Sequence, residues 1–290
     1  MTKYFLRAII ERYVDAICSR YPVLYLCYLL YAVLRHERKG KMKTRKTRRR
    51  KRRLFSAFLT LLLLAAGIGQ LMRMKVIKLN HPEGIKGADV SSYQGEIDWD
   101  ILSKEMDFVF IKATEGSKYT DGCFEANFSG AAGCGLTCGA YHFFSFESSG
   151  EAQAENFINA MDSTGLTDGM LPPVIDVELY GTYRRSPEDA RKVIPEIEKM
   201  ASMLEEHYGV SPIIYCTGTA YSLYHEGFDG CLLWERNVYF HPLHNNWTFW
   251  QYSDSEILDG YSGEEKHIDM NMFKGSLDDL ENLKVCSAQP

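Results

Sequence analysis

The chain has 290 residues, 46% hydrophobic and 24% charged, with a formal net charge of −5. That balance is split: residues 1–53 carry 17 Lys/Arg against 3 Asp/Glu, whereas residues 54–290 carry 16 against 35. The length fits one α/β barrel plus a tail, a basic head beside an acidic body points to two separate environments, and the acidic body excludes nucleic acid, which needs a basic face.

Residues 1–34 are apolar and aromatic with scattered charge, densest at 22–34. That stretch is short of the roughly 20 residues a membrane span needs and reads as an interfacial or a second, marginal spanning segment. A basic run over 35–53 ends in Arg48-Arg49-Arg50-Lys51-Arg52-Arg53, and residues 54–72 follow with no charge at all. An uncharged apolar stretch behind a basic block matches a transmembrane helix or a signal sequence. The positive-inside rule then puts residues 1–53 in the cytoplasm and everything after Met72 outside, so a membrane is the first expected partner. Small residues at Ala65-Ala66-Gly67 would permit cleavage, which leaves anchored and secreted forms both open. Met42 opens a more ordinary secretory N-terminus, which makes 1–41 a candidate for a misassigned start.

Residues 73–83 form a linker, and a regular domain spans 84–280 with a tail to 290. Strands are predicted at 85–90, 108–113, 136–146, 174–178, 211–215, 231–234, 247–252 and 268–273, from short apolar, β-branched or aromatic runs bounded by Gly, Pro, Asp and Ser. Helical spacing covers 150–161 and 186–207. The second helix has Ser186 to cap it, Pro187 in its first turn, apolar residues at Ala190, Val193, Ile194, Ile197, Met200, Ala201 and Leu204, and Gly209 to close it. Strands alternating with helices, with acids and Gly at the strand ends, predict an α/β domain of (β/α)-barrel type, where chemistry gathers at the C-terminal ends of the strands.

The most informative stretch is Leu171-Pro172-Pro173-Val174-Ile175-Asp176-Val177-Glu178. A doubled proline precedes a buried-type strand that ends in two carboxylates at i and i+2. Alternation puts Asp176 and Glu178 on one side of that strand, where burial and mutual repulsion raise at least one pKa. Such a pair is suited to acid–base work; the plain structural alternative is a solvated strand end. Tyr93, Tyr141, Trp250 and Tyr252 are candidate ligand-contacting aromatics, against the alternative of core or rim packing. His241-Pro242-Leu243-His244 is not a metal pair, because Pro disfavours helical presentation and no third ligand follows; neither metal nor cofactor is expected. Cys123, Cys134, Cys138, Cys216, Cys231 and Cys286 fall in the domain expected outside, where disulfides and buried free thiols are both compatible with the count.

Several blocks resemble glycoside hydrolase family 25, the Chalaropsis-type lysozymes. They are Gly87-Ala88-Asp89-Val90-Ser91-Ser92-Tyr93-Gln94-Gly95-Glu96-Ile97-Asp98-Trp99, Phe110-Ile111-Lys112-Ala113-Thr114-Glu115-Gly116, Gly139-Ala140-Tyr141-His142-Phe143, Pro173 to Glu178, Trp250-Gln251-Tyr252-Ser253 and Asp269-Met270-Asn271-Met272-Phe273. Together they cover about residues 84–275. The resemblance implies a modified (β/α) barrel with fewer helices than strands. It also implies hydrolysis of the β-1,4 bond between N-acetylmuramic acid and N-acetylglucosamine, with peptidoglycan glycan strands as partner and wall remodelling or lysis as the outcome. It makes Glu178 the general acid, has Asp176 support it or the developing charge, adds Asp89 and Asp269 to the acidic cluster, and would have Tyr93, Tyr141, Trp250 and Tyr252 floor the sugar subsites. One stretch departs from the family: Trp234-Glu235-Arg236-Asn237-Val238-Tyr239 stands where a Trp-hydrophobic-Ala-x-Tyr pattern is usual. The competing expectations are a catalytically silent wall-binding module and, ranked low, a chitinase-like enzyme, whose pattern wants further Asp residues where Pro172, Pro173, Val174 and Ile175 stand.

Overall fold

The computed structural model describes residues 45–73 and 82–286. The expectations for 1–44, most of the linker and the last four residues lie outside the described residues. The chain divides into two compact units, Met1–Ile77 and Lys78–Pro290.

The described residues of the first unit form the helix α1, Arg45–Arg73. Its segment Arg53–Leu71 is long and apolar enough to cross a membrane, a property shared with signal sequences.

The second unit is a barrel. In chain order its elements are β1 Ile85–Val90, α2 Trp99–Leu102, β2 Phe108–Glu115, β3 Tyr119–Thr120, α3 Phe124–Gly133, β4 Thr137–Phe143, α4 Gly150–Thr164, β5 Val174–Val177, α5 Ala190–Tyr208, β6 Ile213–Thr217, α6 Gly218–Tyr224, β7 Leu232–Arg236, β8 Trp247–Glu256, β9 Ile268–Phe273 and α7 Leu277–Glu281. The sheet order β1-β9-β8-β7-β6-β5-β4-β2 closes through a β1–β2 pairing, and β3 hangs on β2 as a short flap. From β1 through β8 neighbouring barrel strands run parallel, whereas β9 is antiparallel to both β8 and β1. No helix bridges β7 to β8 or β8 to β9, so the barrel has fewer helices than strands.

Two hydrophobic layers hold it. Inside, Phe108, Phe110, Trp234 and Phe249 plug the barrel: Phe110 stacks on Trp234 with ring centroids 4.6 Å apart and meets Phe249 edge-on at 5.1 Å. Glycine makes room for this plug, since a Cβ on Gly87 or Gly139 would lie 2.5 Å from a ring atom of Phe108 or Phe110. Outside, the opposite face of each strand packs on α3, α4 and α5 through residues such as Phe128, Phe157, Ile197 and Leu204.

The predicted strands at 85–90 and 268–273 match β1 and β9, and the others shift by a few residues at their ends. The second long helix begins later than its sequence suggests. Asp189, not Ser186, is the cap, its carboxylate accepting the Arg191 N–H at 3.0 Å, while the Ser186 N–H is taken by the Thr182 carbonyl in the preceding turn. The helix α3 went unread because its apolar moment is weak and two glycines lie within it.

Candidate active site

Strand alternation decides what faces the barrel interior. At the C-terminal ends of the parallel strands the inward positions are Asp89 on β1, Lys112 on β2, Tyr141 and Phe143 on β4, Asp176 on β5, Tyr215 on β6, Trp234 on β7 and Gln251 on β8. Glu178 follows two residues after Asp176, on the same side. Because β9 runs the other way, its first turn of chain reaches this end, and Asp269 stands directly across from Asp89 in the register. With Ser91 and Tyr93 from the loop after β1, these side chains line one cavity of about 190 Å³.

A hydrogen-bond network orients the acids. The Trp234 indole N–H donates to Asn271 Oδ1 at 2.9 Å, and an indole is a donor only. That fixes the Asn271 amide, whose Nδ2 donates to Asp89 Oδ2 at 2.8 Å. Likewise the Tyr215 hydroxyl donates to Gln251 Oε1 at 3.0 Å, so that Gln251 Nε2 donates to Asp89 at 2.9 Å and to Asp269 at 3.0 Å. Two aromatic donors therefore hold two amides, and the amides hold two carboxylates.

Burial shapes the electrostatics. Desolvation lifts Asp89 to about 6, against the amide hydrogen bonds and the Arg236 charge that lower it. Asp176 is pushed well above the usual carboxylate range, first by burial and then by Glu178 and Asp89. Its Oδ1 is buried with no hydrogen-bond partner among the described residues, and a carboxyl oxygen without donors favours the protonated form. Glu178 is also raised by burial, offset by Arg236, Arg184 and Lys112. Arg236, inward-facing at the end of β7, is held by Asp254 at 2.8 Å.

The structure thus brings Asp89, Asp176, Glu178, Asp269, Tyr93 and Tyr141 to one cavity. It does not bring Trp250 and Tyr252 there. These two alternate with Gln251 on β8 and face outward, where Trp250 packs on Trp247, Tyr252 and His241 and its indole N–H donates to the Asn237 carbonyl at 2.9 Å; the expectation that they floor sugar subsites is corrected accordingly. His142 is likewise outward and fully buried, held between Thr114 at 2.7 Å and Gln153 at 3.1 Å, and burial lowers it to about 4. His244 pairs with buried Glu235 at 2.8 Å, while His241 packs on Trp247 and Trp250. The six domain cysteines are free thiols.

Sequence reasoning missed Lys112, Phe143, Tyr215, Trp234, Arg236, Gln251 and Asn271. Lys112 pairs with Glu115 at 2.7 Å and also walls the cavity. The signal for the others is the two-residue period: Gln251 lies between the two aromatics of its block, and Asn271 shares a face with Asp269.

A closed barrel with carboxylates converging at the C-terminal strand ends, walled by aromatics, is an arrangement that carboxylate-dependent glycosidases use. The sequence matches the model of glycosyl hydrolases family 25 over residues 88–261. A solved family 25 glycosyl hydrolase from Bacillus anthracis superimposes with a TM-score of 0.65 at 44% identity, covering 72% of this chain and 98% of that one. The uncharacterized protein YegX of Escherichia coli O6:H1 is 35% identical over 209 residues, 69% of this chain and 73% of its own. Lysozyme M1 of Streptomyces globisporus is 31% identical over 211 residues, 67% of this chain and 69% of its own. The chain belongs to glycosyl hydrolase family 25.

Proposed function

We propose that this chain is a peptidoglycan N-acetylmuramidase, a lysozyme that cleaves the β-1,4 bond between N-acetylmuramic acid and N-acetylglucosamine. The observation that carries the reading is the convergence of Asp89, Asp176, Glu178 and Asp269 on one cavity. A pure binding module needs no such cluster of mutually repelling buried acids.

Glycosidic cleavage needs a proton on the leaving oxygen and relief of positive charge at the sugar carbon. Glu178 is the more accessible acid of the β5 pair and burial raises its pKa, which suits it to donate the proton. Asp176 lies behind it in the wall and supports it or the charge that develops. Asp89 and Asp269 accept from the same Gln251 amide, which fixes the orientation of both carboxylates at the cavity. Tyr93 and Tyr141 supply aromatic surface to the bound glycan.

Catalysis takes place outside the membrane, with α1 as anchor or cleaved signal behind its basic block. Fractionation separates the two: an anchored enzyme sediments with membranes and a cleaved one does not.

The test is Glu178→Gln, which keeps the shape and removes the acid. Clearing of a cell-wall suspension should stop while the protein stays folded and still sediments with walls. Full activity in that variant would remove the acid assignment.

A further inference from the structure

A second cavity of about 300 Å³ is built from the segment after β4 and the start of α5. Both follow the C-terminal ends of barrel strands, so this cavity opens at the same end as the acids. Phe146 and Val193 give it an apolar wall, and Glu147, Ser148, Glu188 and Lys192 a polar rim. None of these residues belongs to the catalytic cluster.

The cavity is preformed. Gln153, fully buried, accepts the Ser145 N–H at 2.6 Å and donates to the carbonyls of Ser145 and Ser148 at 3.1 and 3.0 Å. The Gly150 N–H is held by the Glu196 carboxylate at 2.6 Å, which ties the segment to α5. Tyr180, two residues beyond Glu178, accepts the Phe146 N–H at 3.1 Å and stacks on the Phe146 ring with centroids 5.5 Å apart. The same Tyr180 ring lies 5.4 Å from Phe143, which lines the acid cavity. The rings of Phe143, Tyr180 and Phe146 thus form a continuous aromatic contact that links the wall of one cavity to the wall of the other.

The lining selects a ligand class. An apolar wall facing hydroxyls and carboxylates suits a sugar, which has an apolar face of C–H groups and a rim of hydroxyl and amide donors. Three carboxylates, Glu147, Glu188 and Glu196, against the single ammonium of Lys192 disfavour an anionic group. We propose that this cavity is a further glycan subsite that holds a neutral N-acetylhexosamine of the strand being cut at Glu178. The proposal rests on the muramidase reading above and adds a second place where that strand is gripped.

The experiment compares peptide-free glycan oligomers of two and of four disaccharide repeats, using the full chain in detergent. The wild type should show a kcat/KM about tenfold higher on the longer oligomer, the scale of one added sugar–aromatic contact. Ser148→Trp, which fills the cavity, should lose that gain and keep the rate on the shorter oligomer. That retained rate is also the control for folding; should Ser148→Trp be inactive on both, Glu147→Trp at the exposed rim replaces it. Equal rates on the two oligomers in the wild type, or a length advantage that survives the filling variants, would overturn the subsite. If the wild type cleaves neither oligomer, the muramidase reading fails, and calorimetric binding of the longer oligomer still decides the subsite: weaker binding to the filled variant supports it and equal binding refutes it.

Discussion

Asp89 accepts two amide hydrogen bonds and is still lifted to about 6 by burial. A carboxyl whose folded pKa lies above its unfolded value binds its proton more tightly when folded. Its contribution to stability is full below the unfolded value of 3.8 and is lost as pH rises through about 6. Asp176 and Glu178 shift in the same direction. The melting temperature should therefore fall as pH rises from about 5 to about 7, and Asp89→Asn should flatten that slope; a melting temperature that rises across this window would contradict the assignment. Arg236 acts on the opposite side of the balance. Glu178 is faced by Asp176 from β5, Asp89 from β1, Lys112 from β2, Tyr215 from β6, Arg184 from the loop after β5 and Arg236 from β7, and among the cations Arg236 lowers it most. The general acid works in its protonated form, so removing this cation keeps it protonated to higher pH. Arg236→Gln should move the alkaline limb of kcat/KM upward in pH, and Arg236→Lys should restore most of it; an unmoved limb would mean that the guanidinium does not act on the acid. This residue stands where the family pattern has Ala, so the sequence exposed it as a departure without showing that it faces the acids.

At the level of elements, the two-residue period explains both what was legible and what was not. Asp176 and Glu178 share the cavity side of β5 as their spacing requires, and Asp89 and Asp269 meet because β1 and β9 pair in register. The aromatics of β8 were misassigned because period alone does not say which phase faces inward. Phase is fixed by the barrel plug, since Phe249 packs on Phe108 and Phe110 and carries Gln251 inward with it. Nor does the sequence announce that β9 is antiparallel, which is what turns the start of that strand, and Asp269, toward the acids. The start of α5 was read too early because Ser186-Pro187-Glu188-Asp189 offers two caps, and the turn after β5 takes the first. The outward phase of Trp250 carries its own test. Trp250→Phe removes its hydrogen bond to Asn237, and should cost stability by about 1–2 kcal/mol while leaving kcat and KM for glycan unchanged. A raised KM with unchanged stability would put Trp250 back in the substrate groove.

For the molecule as a whole, the aromatic plug closes the barrel interior, and both cavities described above open at the C-terminal ends of its strands. A polymer substrate can therefore lie across that end without threading the protein, as a wall glycan must. The acidic domain and the basic, apolar N-terminal unit suit different surroundings, and the first unit's α1 has the length and composition to meet a membrane. The measurement that bears most directly on the central claim is digestion of purified peptidoglycan with the protein, followed by mass spectrometry of the new reducing ends. N-acetylmuramic acid is expected at those ends, and no new ends with Glu178→Gln. N-acetylglucosamine at the reducing ends would instead make the enzyme a glucosaminidase on the same scaffold, and wall binding without any new ends would make it a silent module.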